Sequence, residues 1–455
     1  MNMIGRTGLI IQKSDWSDVD RKALTVRPEV NKEYGFQPPA FRVYRTGKKT
    51  ICAPRYYRDV PCSVDNRSPP EPLGKIRFVG ALRDSTSQNE AHDKTVETMR
   101  TIGGGILSLP CGYGKTTVAL AVACTMKVRT MIIVHKEFLA NQWRDRIKQF
   151  CPGATIGKVQ QNKVETNCDF VIAMLQSLSM KDYPIETFEG IGMVIVDEAH
   201  HICARVFSQS FFKFCPKYTL GLSATPVRKD GLTNVLHWFL GPTIFAVERE
   251  ACGTTIVKVK KFNCDHYKSQ PPTTRFGKVS LVHMITDLVE NEDRNDFIEE
   301  LIRSYATGSR RILILSDRRL HCEELARRLA DLGTGLYMGG MKEAKLAESA
   351  EQKIIVGTFS QAHEGLDIPV LDTVLLTTPK SDVKQAVGRI LRETTGKKND
   401  PVILDIKDNW GLLGSMFYKR RKMYKESGFE IETEGDDEQG EREPVALTGF
   451  CFKDI

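Results

Sequence analysis

Short apolar runs without polar alternation recur through the middle of the chain, each followed by a stretch with helical spacing. Between about 76 and 245 the runs are Ile106–Leu109, Thr130–Val134, Phe170–Ala173, Met193–Val196 and Thr219–Leu222. Among the stretches between them, Lys136–Phe150 sets Phe138, Leu139, Trp143, Ile147 and Phe150 at helical spacing. Strands too apolar to keep a solvated face, separated by helices, predict a parallel sheet covered on both sides. From about 246 to 425 the rhythm returns, with Ile312–Leu315, Ile354–Gly357, Thr373–Leu376 and Val402–Asp405 as strands and 293–305 and 320–332 as helices. Residues 1–72 differ: Gly8–Ile11, Ala40–Tyr44 and Thr50–Ala53 are β-prone pieces among prolines and charges. The pattern thus predicts an α/β protein with two parallel-sheet lobes, 76–245 and 246–425, preceded by a small strand-rich module, 1–72. The prolines of Ser68–Pro72 suit a linker, because they resist helix and sheet alike.

Composition narrows the class. With 455 residues, 41% hydrophobic and 27% charged, the chain has the make-up of a globular protein with ample core. It contains no apolar run of spanning length and its start lacks the apolar core of a signal peptide, so an intracellular protein without membrane contact is expected. Its 12 cysteines include no Cys-x-x-Cys pair, which argues against a zinc ribbon and for reduced thiols. Charge is unevenly spread. The tail 426–455 carries −8 of an overall +8, leaving the first 425 residues at +16, a body suited to a polyanion. After Ser427 the acidic, Gly- and Glu-rich tail reads as disordered to about Glu443.

Two stretches carry the chemistry. In Leu107–Thr117 an apolar strand breaks at Pro110 into Cys111, Gly112, Tyr113 and Gly114, and then Lys115, Thr116 and Thr117 open an apolar helix. Strand, glycine loop and helix N-terminus form a phosphate cradle, in which Lys115 supplies a charge and Thr116 a hydroxyl for Mg2+. Leu109 stands where the strict pattern has glycine, six residues before the lysine. In Met193–His201 a buried strand ends in Asp197 and Glu198. Hydrolysis of a phosphoanhydride needs a metal ligand and a base for water; Asp197 suits the first and Glu198 the second. His200 and His201 are adjacent, so their rings are expected to diverge, and no third metal ligand is evident.

Lys115, Asp197 and Glu198, with Ser223-Ala224-Thr225-Pro226 and the segment Gln385–Arg392, occur in an order and spacing that resembles the superfamily 2 helicases and translocases. The segments 221–232 and 388–397, and the basic piece 417–425, are most similar to the DEAH-type branch that contains the helicase of the transcription and repair complex TFIIH, with its phage and large-DNA-virus relatives. The resemblance implies two tandem RecA-like lobes with an ATP cleft between them. It further implies an ATP hydrolase using ATP and Mg2+, with Thr116 and Asp197 serving the metal and Arg389 and Arg392 reaching the γ-phosphate from the second lobe. Gln385 would lie beside these arginines, Gly365 and Asp367 would contribute to the nucleotide site, and His200, Ser223, Ala224 and Thr225 would couple hydrolysis to lobe movement. Gln88 resembles the adenine-reading glutamine, although a longer insert than the family's separates it from Leu82-Arg83.

Loops similar to the family's strand-binding motifs are 134–143, 174–178 and 358–367, whose contacts would go to phosphates with little base specificity. Trp143 and Phe138 read as the core face of a helix, and Lys419–Lys422 as a solvated face. The expected partner is a nucleic acid, DNA rather than RNA, with transcription machinery as a further partner. The resemblance implies a viral or phage motor working in the host cytoplasm or nucleus, or carried in a virion. Another reading is an ATP-dependent transcript-release or transcription factor that remodels complexes without separating strands.

Overall fold

The computed structural model describes residues 3–29, 38–58, 64–84, 87–110, 112–224, 228, 230–247, 255–274, 277, 279–364, 366, 368–391 and 397–433. Five residues of the expected site, Cys111, Thr225, Gly365, Asp367 and Arg392, lie outside them. The chain divides into two compact units, Met1–Glu248 and Arg249–Ile455.

The first unit is built on an eight-stranded sheet in the order Lys163–Val164, Ile156–Gln160, Phe170–Met174, Thr130–Val134, Met193–Val196, Tyr218–Ser223, Gly104–Ser108, Thr243–Ala246. All pairings are parallel except the hairpin at Lys163–Val164. Successive residues of the buried strands feed opposite cores. Ile106, Met131, Ile133, Val171, Val194 and Val196 face one; Leu107, Ile132, Val134, Phe170, Ile172 and Ile195 face the other. That two-sided burial is why these strands read as continuous apolar runs. The strand Ile156–Gln160 escaped the pattern because Lys158 and Gln160 alternate with its buried positions.

The N-terminal residues form a second, five-stranded sheet: Arg45–Thr46, Thr50–Ala53, Gly8–Gln12, Met3–Gly5, Val64–Asp65. Its apolar face is continuous with the first core. Leu9, Ile11, Phe41, Val43, Tyr44, Ile51 and Ala53 pack in one cluster with Ile106, Phe211, Phe212 and Phe239. The module therefore covers a face of the eight-stranded sheet.

The second unit is an all-parallel seven-stranded sheet, ordered Thr334–Tyr337, Ile354–Thr358, Ile312–Ser316, Thr373–Leu376, Val402–Asp408, Ile256–Phe262, Glu430–Thr433. The last strand corrects the expectation of disorder from Ser427. Glu430–Thr433 pairs with Ile256–Val259, and Glu432 meets Lys258 at 3.1 Å. An acidic strand beside a lysine-bearing one gains cross-strand attraction that composition alone does not show.

Basic residues 419–422 also depart from expectation. Arg420 is 2% exposed and forms a two-point pair with Asp405, Nε to Oδ2 at 2.8 Å and Nη2 to Oδ1 at 2.7 Å. The helix Leu412–Glu426 buries Leu413, Phe417, Arg420 and Tyr424, so the arginine lies on its apolar stripe. A second buried pair, Arg294 with Asp408, uses two bonds of 2.8 Å.

One buried histidine gives this unit a pH dependence. His321 is held by Ser316 Oγ at 2.9 Å and Asn295 Oδ1 at 3.0 Å. Burial, and then the Arg294 guanidinium, lower its pKa from 6.5 to about 3. Below pH 6.5 the unfolded chain takes up a proton that the folded site refuses, so stability present above that pH is lost as it falls towards 3. Urea melts at pH 7 and pH 5 should differ by about 2 kcal/mol on this account, and His321→Gln should flatten the slope.

Candidate active site

The strand Gly104–Ser108 lies between Tyr218–Ser223 and Thr243–Ala246, and Met193–Val196 lies next beyond Tyr218–Ser223. Parallel strands present their carboxyl ends along one edge, and the phosphate loop and the Asp197-Glu198 pair both leave the sheet there. The Leu109 N–H donates to the Ser223 carbonyl at 3.0 Å, which ties the start of the loop to the Ser223 segment. Gly112 and Gly114 have φ of +82° and +92°, a region that side-chain-bearing residues avoid. A Cβ on Gly114 would also meet Gln88 Nε2 at 2.7 Å.

The helix Lys115–Met126 begins at Gly114 with no side-chain cap and no acidic residue in its first turn. Its first N–H groups are left to an anion. Thr116 and Thr117 are half-buried in that turn. Lys115 Nζ donates to the Leu109 carbonyl at 3.3 Å and stands 3.9 Å from Glu198 Oε1.

Glu198 has φ of +46°, so the chain turns sharply after Asp197. Its N–H donates to Asp197 Oδ1 at 3.0 Å, and Asp197 Oδ2 accepts from Trp143 Nε1 at 2.8 Å. Burial, and then the adjacent Glu198 carboxylate, push the Asp197 carboxyl above its ordinary range, against the Trp143 N–H and Lys115. Glu198 Oε2 is buried without a hydrogen bond among the described residues, with His200 Nδ1 3.5 Å away. Two crowded carboxylates, one with an unsatisfied oxygen, beside an uncapped helix N-terminus and a lysine, make a donor set that fits a divalent cation and a phosphate chain.

Trp143 is 1% exposed and does belong to the helix core, yet it also touches the acidic pair. Its signal was present in the sequence: a buried indole usually finds an acceptor for its N–H. The histidine expectation is corrected. The His200 and His201 rings lie 4.3 Å apart in the 3-10 turn Ala199–Cys203, and the His135 ring lies 3.9 Å from that of His201, tilted by 36°. The described residues nonetheless hold no metal-binding cluster of three or more such ligands. Arg228, to which no separate role was assigned, bonds Asp230 and the His200 carbonyl.

Gln88 is buried at 2%. Its Oε1 accepts from the Arg83 N–H at 2.9 Å and its Nε2 donates to the Tyr113 carbonyl, so it braces the phosphate loop. Ser223 is buried and Ala224 half-buried at the end of their strand. In the second unit, Gln385 is half-buried on the helix Lys384–Gly388. Arg389 follows it, 9% exposed, with Nε donating to the Ala362 carbonyl at 2.7 Å.

Comparison with known proteins agrees with this geometry. The family described as "Type III restriction enzyme, res subunit" matches residues 82–228. A protein of Acanthamoeba polyphaga mimivirus, provisionally named an ATP-dependent RNA helicase, is 36% identical over 413 residues, 87% of this chain and 77% of that protein. The chain belongs to the superfamily 2 helicases. A provisionally named helicase of Invertebrate iridescent virus 6 is 29% identical over 78% of this chain and 84% of its own length. A provisionally named ATP-dependent RNA helicase of African swine fever virus is 25% identical over 76% of this chain and 73% of its own. This superfamily 2 chain is an ATP-dependent helicase, hence an ATP hydrolase with a nucleic-acid partner. No described helix is long and apolar enough to cross a membrane.

Proposed function

We propose that the protein is a nucleic-acid-stimulated ATPase that moves along or unwinds DNA, and that Lys115, Thr116, Asp197 and Glu198 are its hydrolytic site. The supporting observation is the meeting of Lys115 Nζ with Glu198, whose other oxygen makes no hydrogen bond and faces His200 Nδ1 at 3.5 Å, at the mouth of an uncapped helix. Bound Mg2+ would neutralise charge on the phosphates, held by Thr116 and Asp197. Glu198 takes the proton of the attacking water at Oε2. Trp143 fixes Asp197 through its indole N–H. The uncapped N–H groups and Lys115 orient the phosphates, and Gln88 braces the loop and reads adenine with its remaining amide hydrogen and lone pair. Gln385, Arg389, Arg392, Gly365 and Asp367 belong to the second lobe's share of the site. His200, Ser223, Ala224 and Thr225 relay hydrolysis to movement, and the main-chain bond between Ser223 and Leu109 supports that relay.

The functional divisions are the module 1–72, lobes 76–245 and 246–425, and the acidic tail 426–455. Segments 221–232 and 388–397 support a place in the DEAH-type TFIIH branch, and with it DNA and a viral transcription, replication or repair process. The names of two relatives favour RNA instead. An ATPase assay with single-stranded DNA, duplex DNA and RNA decides between them; equal turnover with and without all three would remove the motor reading.

Trp143→Phe keeps an aromatic ring and deletes the pyrrole portion with its N–H. Losing one hydrogen bond to a charged group is worth about 1.5–3 kcal/mol. Turnover should fall roughly ten- to a hundredfold, with a raised Mg2+ requirement measured by titrating the metal at saturating ATP.

A further inference from the structure

A groove of about 560 Å3 runs along the seam between the N-terminal module and the short helix Arg205–Ser208, walled by Thr25, Phe41, Arg42, Tyr44, Arg205 and Gln209. Arg42 and Arg205 are both exposed. Neither guanidinium has an ion pair or hydrogen bond among the described residues; Arg42 lies over the Tyr44 ring at 5.9 Å. Like charges around one hollow with no counter-charge favour an anion there.

The frame that holds them is cross-linked by side chains. Arg45 Nη2 donates to the Gln209 carbonyl at 2.9 Å and the guanidinium sits 5.3 Å from the centre of the Phe212 ring. Gln209 Nε2 returns a bond of 3.0 Å to the Arg42 carbonyl. Beneath them Val43, Tyr44, Phe211 and Phe212 share one core.

We propose that this groove binds the sugar–phosphate backbone of a nucleic-acid strand, as a contact separate from the loops at the sheet edge. The inference rests on the nucleic-acid motor reading above. Of the six Lys or Arg in residues 38–58, Arg58 is paired with Asp20 and Arg55 bonds main-chain carbonyls, while Arg42, Arg45, Lys48 and Lys49 are exposed in a stretch with no acid, a surface complementary to a polyanion. Phe41 and Tyr44 are only 6% and 7% exposed, so they offer no platform for bases and the contacts are to phosphates, without sequence preference. The helix Arg205–Ser208 follows directly on the turn that carries His200 and His201, and it packs against Leu175–Met180. A strand held here therefore lies one short helix from the segment that begins at Glu198.

The test is fluorescence anisotropy of labelled single-stranded DNA, duplex DNA and RNA with the full chain across a salt series. The comparison is wild type, Arg42→Ala/Arg205→Ala, and Arg205→Glu alone. Affinity of the double variant should fall roughly tenfold near 0.1 M salt, and the slope of log affinity against log salt should drop by about 1.4 on a single strand. Basal ATPase and the thermal melt should stay unchanged, while the polynucleotide needed for half-maximal stimulation rises in step. Arg205→Glu, which keeps the module's arginine, should weaken binding as well. Wild-type affinity and slope for both variants on every oligonucleotide, with stimulation of the wild type intact, would overturn the groove and leave the motor standing. A wild type that neither binds nor responds to any polynucleotide would overturn both.

Discussion

Glu198→Gln is expected to abolish stimulated ATP hydrolysis, by about 10²- to 10⁴-fold, while nucleotide and strand binding persist. The amide has the shape of the carboxylate but cannot take a proton from water, and general-base catalysis is worth that factor. The unusual backbone at Glu198, with φ of +46°, is kept by a side chain of equal size. The loss should therefore appear in turnover and leave the melting temperature within a few degrees of wild type. Lys115→Ala should reach a similar loss by another route. It removes the cation 3.9 Å from Glu198 and the bond to the Leu109 carbonyl, so the nucleotide itself binds more weakly. The two variants are separated by direct measurement of ATP affinity, retained in the first and reduced in the second.

The second large effect lies away from the chemistry. Asp405→Asn is expected to cost about 3–5 kcal/mol, because it leaves the Arg420 guanidinium buried and uncompensated. Arg420 is 2% exposed and Asp405 0%. The pair is further satisfied by Tyr424, whose hydroxyl donates to Asp405 Oδ2 at 2.9 Å, and by the Lys380 carbonyl, which accepts from Arg420 Nη1 at 2.9 Å. Removing the charge takes the counter-ion from Arg420 and weakens the acceptor of the Tyr424 hydroxyl. For a unit of this size the melting transition of residues 249–455 should fall by roughly 10 °C. Replacing both members, Asp405→Leu with Arg420→Met, should recover most of the loss, since the pair's net contribution is small beside the cost of breaking it. A single variant that melts like wild type would show that water reaches the arginine.

How far the sequence was legible follows from these residues. Thr130–Val134, Met193–Val196 and Thr373–Leu376 were readable to the residue because both their faces are buried. Ile256–Phe262 and Glu430–Thr433 were not, since lysines and glutamates lie on half-covered strands near a sheet edge, where pattern and propensity disagree. At the candidate site, Lys115 and the acidic pair stood out because a phosphate cradle fixes residue type and spacing together. Trp143 and His135 did not. Each is brought to the site by tertiary packing, from a helix and a strand end 54 and 66 positions away from Asp197 and His201. Arg420 was hidden by its neighbours: in a run of four basic residues only helical phase marks the one that turns inward, and Leu413, Phe417 and Tyr424 give that phase.

The most direct test of the account is steady-state ATP turnover of the full chain, titrated in turn with single-stranded DNA, duplex DNA and RNA, for wild type beside Glu198→Gln. The account predicts low basal turnover, a severalfold or greater rise with DNA, and no rise for the variant. Turnover indifferent to every polynucleotide, or a Glu198→Gln variant that hydrolyses ATP like wild type, would contradict it.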